Sequence, residues 1–165
     1  MVFARAWPPR SASVLNISDP IEQLRAAIAV TRGPTPWRVV TQDDIDSFAQ
    51  ITHDTQWIHV DVERAKRESP FGTTIAHGFL TLSLLSQFMA SAIAFPTAKM
   101  GVNYGFERVR FISPVPSGAE IQASFTLGEV KPADVGVQCA WSVEVRARDA
   151  AKPALAAVWL SRVVL

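Results

Sequence analysis

Residues 48–95 read FAQITHDTQWIHVDVERAKRESPFGTTIAHGFLTLSLLSQFMASAIAF, and this stretch decides the fold. It contains all three histidines of the chain, His53, His59 and His77. Its second half, residues 75–95, has no charged side chain. A cluster of groups that transfer protons therefore precedes a long apolar segment. The pattern predicts a loop that carries chemistry, followed by a long buried helix whose N-terminus faces the same site.

The composition indicates one globular domain with no bias towards a charged partner. The chain has 165 residues, of which 19% are charged, and its formal net charge is +1. This length allows a sizeable core, and a balanced charge argues against binding nucleic acid or an anionic membrane. The single cysteine, Cys139, excludes an internal disulfide and favours a reducing compartment, so we expect a cytoplasmic protein.

Residues 75–95 are long enough to span a bilayer, but they are interrupted by Ser83, Ser86, Gln87 and Ser91. We therefore predict a buried helix and no membrane span. The first 18 residues contain Pro8-Pro9 and no continuous apolar run, which is untypical of a secretory signal. They are interpreted as a flexible N-terminal arm, and residues 19–165 as a single domain.

The remaining sequence predicts helices first and long strands afterwards. A short helix is expected over residues 20–30, a strand over 37–40, and a helix that starts at a capping box of Thr41 with Asp44 and ends near Thr52. Residues 53–59 are expected to be irregular, 62–68 helical and 69–72 a loop. Long strands are predicted over 101–112, 121–127, 137–146 and 154–165, because apolar and polar residues alternate or apolar residues dominate there.

This order is typical of an α+β fold in which an antiparallel sheet wraps around a long central helix. A helix that is apolar on every side needs more cover than one curved sheet provides. A second copy of the chain is the natural source of that cover, so the sequence predicts a homodimer.

Asp54 and His59 are the first candidate catalytic residues. They lie five positions apart in a segment expected to be irregular, where a carboxylate and an imidazole can hold one water and move its proton. Histidine suits this role because its ordinary pKa is near neutrality. On spacing alone, a loop aspartate that accepts backbone N–H groups, with a packed histidine beside it, explains the pattern equally well.

His77 and Gly78 mark the start of the long helix. A helix N-terminus presents backbone N–H groups without partners, and glycine allows a substrate carbonyl to approach them. Such groups can stabilise an oxyanion or an enolate. The other interpretation is that Gly78 only permits close packing.

Other kinds of site find less support in the sequence. The three histidines and Asp54 could in principle hold a metal, but no H-x-H or H-x3-H pair exists, so no metal is expected. There is no G-x-S-x-G nucleophile motif and no glycine-rich phosphate loop.

At these residues the sequence resembles the MaoC-like hydratases, a family of (R)-specific enoyl-CoA hydratases with a single hot-dog domain. The family motif, Gly-Asp-x-Asn-Pro-x-His, corresponds to residues 53–59, HDTQWIH, and its Ala-His-Gly helix start to residues 76–78. Residues 109–115, VRFISPV, resemble the family's strand and turn after the helix. Three positions depart from the motif, with His53 for glycine, Gln56 for asparagine and Trp57 for proline. The form DTQWIHVD resembles a subgroup of nodulation protein N-like proteins.

The resemblance implies roles for individual residues. Asp54 and His59 would activate a water that adds to C3 of a trans-2-enoyl thioester, and a proton would go to C2. The Gly78 N–H would bind the thioester oxygen, and Gln56 would orient the water or the thioester. His77 would border the substrate site chiefly as a structural neighbour. No cofactor would be required, since CoA is part of the substrate, and an acyl carrier protein could replace CoA.

Two alternatives remain open from the sequence. One is an acyl-CoA thioesterase of the same fold, which would direct water to the thioester carbonyl; the retained Asp54 and His59 argue against it. The other is a non-catalytic protein that binds acyl thioesters, which the three changes in the motif would favour.

Overall fold

The structure is a computed structural model that describes residues 15–16, 20–94 and 98–164. Most of the predicted N-terminal arm lies outside the described residues. From that arm, β1 (Leu15–Asn16) pairs in parallel with β4 (Ile93–Ala94). Helix α1 (Pro20–Ala26) follows and ends four residues before the predicted limit at Val30.

Four long antiparallel strands form the main sheet. They are β5 (Met100–Phe111), β6 (Glu120–Pro132), β7 (Val137–Ala147) and β8 (Leu155–Val164), arranged in the spatial order β6-β7-β8-β5. The short strands β2 (Thr31–Arg32) and β3 (Arg38–Val39) pair with β6. The four long strands agree with the predicted ones, and the register of β5 against β8 shifts between Asn103 and Gly105, where glycine accommodates the irregular backbone.

Alternate residues of the long strands form the inner face of the sheet. Along β6 and β7 the buried positions are Ile121, Ala123, Phe125, Leu127, Val137, Cys139, Trp141, Val143 and Val145. The strands are half-buried because the sheet is covered on this face only, which explains the period of two in the sequence.

The predicted long helix is shorter than expected and is divided in two. Helix α5 (Gly78–Ser83) and helix α6 (Leu85–Ala92) meet at Leu84. Residues 75–77 are not helical, because Ile75 forms a β-bridge with Pro116 and the Ala76 N–H donates to the Val115 carbonyl at 2.8 Å. At the other end, α6 gives way to β4. The extended backbone of residues 93–94 thus ends the helix about a turn early, whereas its start at Gly78, with His77 at the cap position, is as predicted.

The expectation that this helix is apolar all round is also wrong. Leu80, Leu85, Phe88 and Ala92 are buried against the sheet. Ser83, Ser86 and Gln87 are exposed on the opposite face. Among the described residues, no helix is long and apolar enough to cross a bilayer.

Three further helices precede α5 and carry the candidate site. Helix α2 (Gln42–Thr52) begins at the predicted capping box of Thr41 and Asp44 and ends at His53, whose φ is 59°. Helix α3 (Trp57–Val60) corrects the expectation that residues 53–59 are irregular throughout, since a single turn forms where the Asp61 N–H donates to the Trp57 carbonyl. Helix α4 (Val62–Glu68) is as predicted. An antiparallel sheet wrapped around α5 and α6, with these helices at one end, is the hot-dog fold.

Candidate active site

His59 is held in one orientation by a hydrogen bond through its ring. It lies in α3 with 8% of its surface exposed, and its Nδ1 is 2.7 Å from the carbonyl oxygen of Ile75. A carbonyl only accepts, so in the neutral ring Nδ1 carries the hydrogen and donates it. The lone pair is then on Nε2, which is the arrangement that a general base requires.

Burial lowers the pKa of His59 below its ordinary value of 6.5. The hydrogen bond to Ile75 acts in the opposite direction, the neighbouring His77 lowers the pKa further, and Asp54 raises it. Because burial dominates, the ring stays neutral at neutral pH and Nε2 remains able to accept a proton.

His77 is buried directly beside His59. It precedes the first residue of α5, and its Nε2 is 2.9 Å from the backbone carbonyl oxygen of Asp54, to which it donates. Its Nδ1 is buried and finds no hydrogen-bond partner in the described part of the chain. The two imidazole rings are stacked, with centroids 3.8 Å apart. His77 therefore fixes the backbone of Asp54 and packs against one face of His59.

Asp54 is exposed, and its side chain lies near both rings. One carboxylate oxygen of Asp54 and one nitrogen from each of the His59 and His77 rings lie within 4.8 Å of one another. Two polar groups at such a distance can both hydrogen-bond to one water. The same three side chains could each offer one ligand atom to a metal ion.

A cavity of about 260 Å³ adjoins His59 and reaches the start of α5. Beyond His59 and Gly78, it is lined by Ile75, Ala76, Thr81, Phe111, Ile112, Ser113, Pro114, Val115 and Ala154. The lining is mostly apolar, with the imidazole and the helix start as polar groups. A small apolar chain that ends in a polar group suits such a cavity.

Gly78 is the first residue of α5, so its N–H has no partner within the helix. A Cβ at this position would lie 3.0 Å from the ring of Phe111. The absence of a side chain thus lets Phe111, which is 48% exposed, lie against the helix start. Gly78 is therefore closely packed against Phe111, and it also lines the cavity.

The other predicted site residue, Gln56, is not brought into the cluster. It is exposed and precedes α3, where its side chain makes no capping hydrogen bond, while its carbonyl accepts from the His59 N–H at 2.9 Å. The adjacent Trp57 is half-buried and is covered by the guanidinium of Arg64, 4.3 Å from the ring centroid. The turn of α3 is therefore stabilised by the stacking of Arg64 on Trp57, at the position where the family motif has proline.

Sequence reasoning missed two polar residues that surround His59. Gln42 donates to the His59 carbonyl at 2.8 Å, and Thr74 donates to Gln42 at 2.6 Å. The capping box at Thr41 places Gln42 in the first turn of a helix, but no local signal indicates what its side chain meets. Phe111, beside Gly78, was likewise predicted only as part of a strand.

Comparison with known proteins decides the family. The sequence of residues 24–147 matches the MaoC like domain. The chain belongs to the MaoC-like dehydratase family. It is 46% identical to nodulation protein N of Rhizobium meliloti (strain 1021) over 131 residues, which cover 78% of this chain and 81% of the relative. It is 41% identical to 3-hydroxyacyl-thioester dehydratase Z of Mycobacterium tuberculosis over 147 residues, covering 88% and 97%.

Solved structures support the fold of this MaoC-like protein. An R-hydratase from Pseudomonas aeruginosa, in its unliganded form, superposes with a TM-score of 0.68 at 20% identity, covering 83% of this chain and 81% of that one. The predicted family and the predicted hot-dog fold are thus confirmed. As a member of a family of dehydratases and hydratases, the chain is assigned to the hydro-lyases at this level.

Proposed function

We propose that this MaoC-like protein catalyses the reversible, (R)-specific hydration of a trans-2-enoyl thioester to a 3-hydroxyacyl thioester. The observation that carries the proposal is the neutral His59 with Nε2 unprotonated, beside the Asp54 carboxylate and at the edge of an apolar cavity. The dehydratase named among its relatives, at 41% identity over most of both chains, supports the same class of substrate.

In the proposed reaction, one water is held between the Asp54 carboxylate and His59 Nε2. His59 takes a proton from this water as the oxygen bonds to C3 of the enoyl group, and the C2=C3 electron pair moves towards the thioester carbonyl. The enolate then receives the proton at C2, which leaves His59 neutral again. The sum is the addition of one water across the double bond, and the reverse sequence removes it.

The charge that develops on the thioester oxygen needs a donor. Gly78 supplies one in this proposal, because its N–H begins α5 and the residue borders the cavity. Phe111 lies against Gly78, so the thioester would contact this ring or displace it. Gln56 is proposed to orient the water or the thioester from the rim of the site, since it precedes α3 and is exposed.

A hydration assay distinguishes this function from its rivals. Purified protein is mixed with crotonyl-CoA, then with a longer enoyl-CoA and with the acyl-carrier-protein thioester, and the enoyl-thioester absorbance is followed beside a thiol reagent. We expect the absorbance to fall without thiol release. Release of free thiol would instead identify a thioesterase, and binding of acyl-CoA without turnover would identify a non-catalytic binding protein.

The lowered pKa of His59 predicts how kcat/KM depends on pH in the acidic range. Because the base works only when it is neutral, we expect kcat/KM to fall on acidification with an apparent pKa below 6.5. The same group destabilises the fold in acid, since the unfolded chain takes up a proton from pH 6.5 downwards while the folded chain resists until its lower pKa is reached. Steady-state kinetics over a range of roughly pH 4.5 to 8 would measure the first effect. An acid limb above 6.5 would contradict the assignment.

We propose that the protein is a homodimer that pairs through β5. In the described part of the chain, β5 pairs only with β8, so its other edge is open along a strand of 12 residues. Met100, Val102 and Tyr104 on this strand are exposed. An open apolar edge strand is normally covered. Analytical ultracentrifugation should give close to twice the 18.0 kDa of one chain, and a monomer at micromolar concentration would contradict the proposal.

The remaining parts of the proposal concern the compartment of the protein and the carrier of the acyl group. The only cysteine, Cys139, is buried, and burial raises the pKa of its thiol to about 12, which suits a structural residue in a reducing compartment such as the cytoplasm. CoA or an acyl carrier protein enters as part of the substrate, and the proposed steps use no further cofactor.

A further inference from the structure

The side chain of Gln42 connects three segments around His59. It is the first residue of α2, and its Nε2 donates to the Asp46 carboxylate and to the His59 carbonyl, both at 2.8 Å. Its Oε1 accepts the hydroxyl of Thr74 at 2.6 Å. Helix α2, the turn that carries His59 and the strand-like segment before α5 are thereby joined through one amide group.

The orientation of this amide is fixed by its partners. Both amide hydrogens are directed at groups that can only accept, a carboxylate and a carbonyl. If the amide were reversed, its oxygen would face those two acceptors and its nitrogen would face the Thr74 hydroxyl. Thr74 is 1% exposed, so its hydroxyl depends on this internal partner rather than on solvent.

The contacts close into a ring that includes the imidazole of His59. From Gln42 the ring passes to the His59 carbonyl, through the His59 side chain to the Ile75 carbonyl, along the backbone to Thr74, and back to Gln42. A bond from the Ile75 N–H to the Ile58 carbonyl, at 3.0 Å, crosses this ring. The Ile75 carbonyl accepts from the His59 ring, and its distance from the His59 backbone is therefore fixed twice. The bonds through Gln42 and Thr74 fix it on one side, and the bond between Ile75 and Ile58 fixes it on the other.

We infer that Gln42 and Thr74 are positioning residues that hold His59 in the tautomer with the hydrogen on Nδ1 and the lone pair on Nε2. They act through the backbone, and neither is among the residues that line the cavity beside His59. Loss of either contact frees the Ile75 carbonyl to move relative to the ring, so that Nε2 is unprotonated for a smaller fraction of the time. The effect on rate rests on the proposed hydration, whereas the effect on the tautomer does not.

Paired variants test this inference. Thr74→Val removes the hydroxyl at nearly constant volume, and Thr74→Ser keeps it. Gln42→Glu keeps the acceptor for Thr74 but replaces both donors, so that a carboxylate faces Asp46 and the His59 carbonyl. Gln50→Ala, at an exposed position of the same helix, is the control. Thermal unfolding of each variant shows whether it is folded, and Gln42→Glu replaces Thr74→Val if the latter is not.

Two measurements test the inference: the tautomer of the His59 ring and the rate of hydration. Nitrogen-15 NMR of the His59 ring, above its pKa, should show the hydrogen on Nδ1 in the wild type, Thr74→Ser and Gln50→Ala, and a mixture of tautomers in Thr74→Val and Gln42→Glu. In the hydration assay we expect kcat to fall about tenfold in these last two variants, with KM little changed, because the water is less well oriented.

Folded Thr74→Val and Gln42→Glu proteins with the wild-type tautomer and wild-type kcat would overturn the inference. An equal change in kcat and KM with no change in tautomer would also overturn it, since it would indicate general loosening of the fold. A shifted tautomer in variants of a protein whose wild type does not hydrate enoyl thioesters would uphold the positioning of His59 and refute the proposed function.

Discussion

We expect the Asp54→Asn and His59→Asn variants to hydrate crotonyl-CoA about a thousandfold more slowly than the wild type, since each loses a group that holds or deprotonates the water. Asparagine keeps the shape of Asp54 and removes its charge. At position 59, the asparagine amide can still donate to the Ile75 carbonyl, which now accepts from Nδ1 at 2.7 Å. The first change removes only the charge of Asp54, and the second keeps the bond to the Ile75 carbonyl but loses the stacking of the His59 ring on His77. The loss of enoyl-thioester absorbance under saturating substrate measures the effect.

The control for these variants is Thr55→Ala, an exposed neighbour of Asp54 that we have given no role. It should keep wild-type kcat, and the variants at the exposed positions 54 and 55 should unfold within about 3 °C of the wild type, a shift of roughly 1 kcal/mol for a chain of this size. His59→Asn should unfold at a lower temperature, because it removes a buried ring, and its activity is compared under conditions in which it is folded. If Asp54→Asn retained full activity, Asp54 would be misassigned even within the right enzyme class. If His59→Asn did so, the proposed base would be wrong.

The second large effect that we expect is a loss of stability when Gly136, in the turn between β6 and β7, is replaced by alanine. Its φ is 76°, and a Cβ there would overlap the backbone carbonyl oxygen of Val163 in β8. We expect Gly136→Ala to lower the free energy of unfolding by about 3 kcal/mol, which combines the left-handed backbone of alanine with the displacement of β8. Urea unfolding monitored by tryptophan fluorescence measures the loss as a lower midpoint at unchanged slope.

Gly118 provides a matched control for this change. Its φ of 83° is similar, but no atom lies within 4 Å of a Cβ built there. Gly118→Ala should therefore cost only the backbone part, about 1 kcal/mol. Equal losses of unfolding free energy at the two positions would contradict a cost for the contact with Val163. They would show that the left-handed backbone alone accounts for both losses.

The long strands and the start of α2 were predictable from the sequence because their signals are local. Alternation from Ile121 to Leu127 reports a sheet with one covered face, and the capping box of Thr41 with Asp44 acts within a single turn. Asp54 and His59 were likewise found by a short motif and its resemblance to a family. Their closeness in the structure follows from one turn of helix that ends the irregular segment.

The rest of the site depends on contacts between distant residues, which no short pattern encodes. Gln42 meets His59 across 17 positions and Thr74 across 32. The early end of α6 arises because the extended backbone of Ile93 and Ala94 pairs with β1. A window of apolar residues gives the same signal whether or not such partners exist, so the sequence alone predicts a longer helix.

The Ile75 N–H donates to the Ile58 carbonyl, and His59 Nδ1 donates to the Ile75 carbonyl. These two bonds bring the ends of residues 61–73 together, so that this segment forms an excursion from the chain. Helix α4 lies within this excursion, with Ala65 fully buried and with the exposed ion pairs Arg64–Glu68 and Lys66–Glu63 on its surface. The excursion is therefore joined to the rest of the protein at its two ends and also through Ala65 and Arg64. The side chains that face outward from α4, such as Lys66, Arg67 and Glu68, are exposed, so their charge can vary without moving the backbone that carries His59.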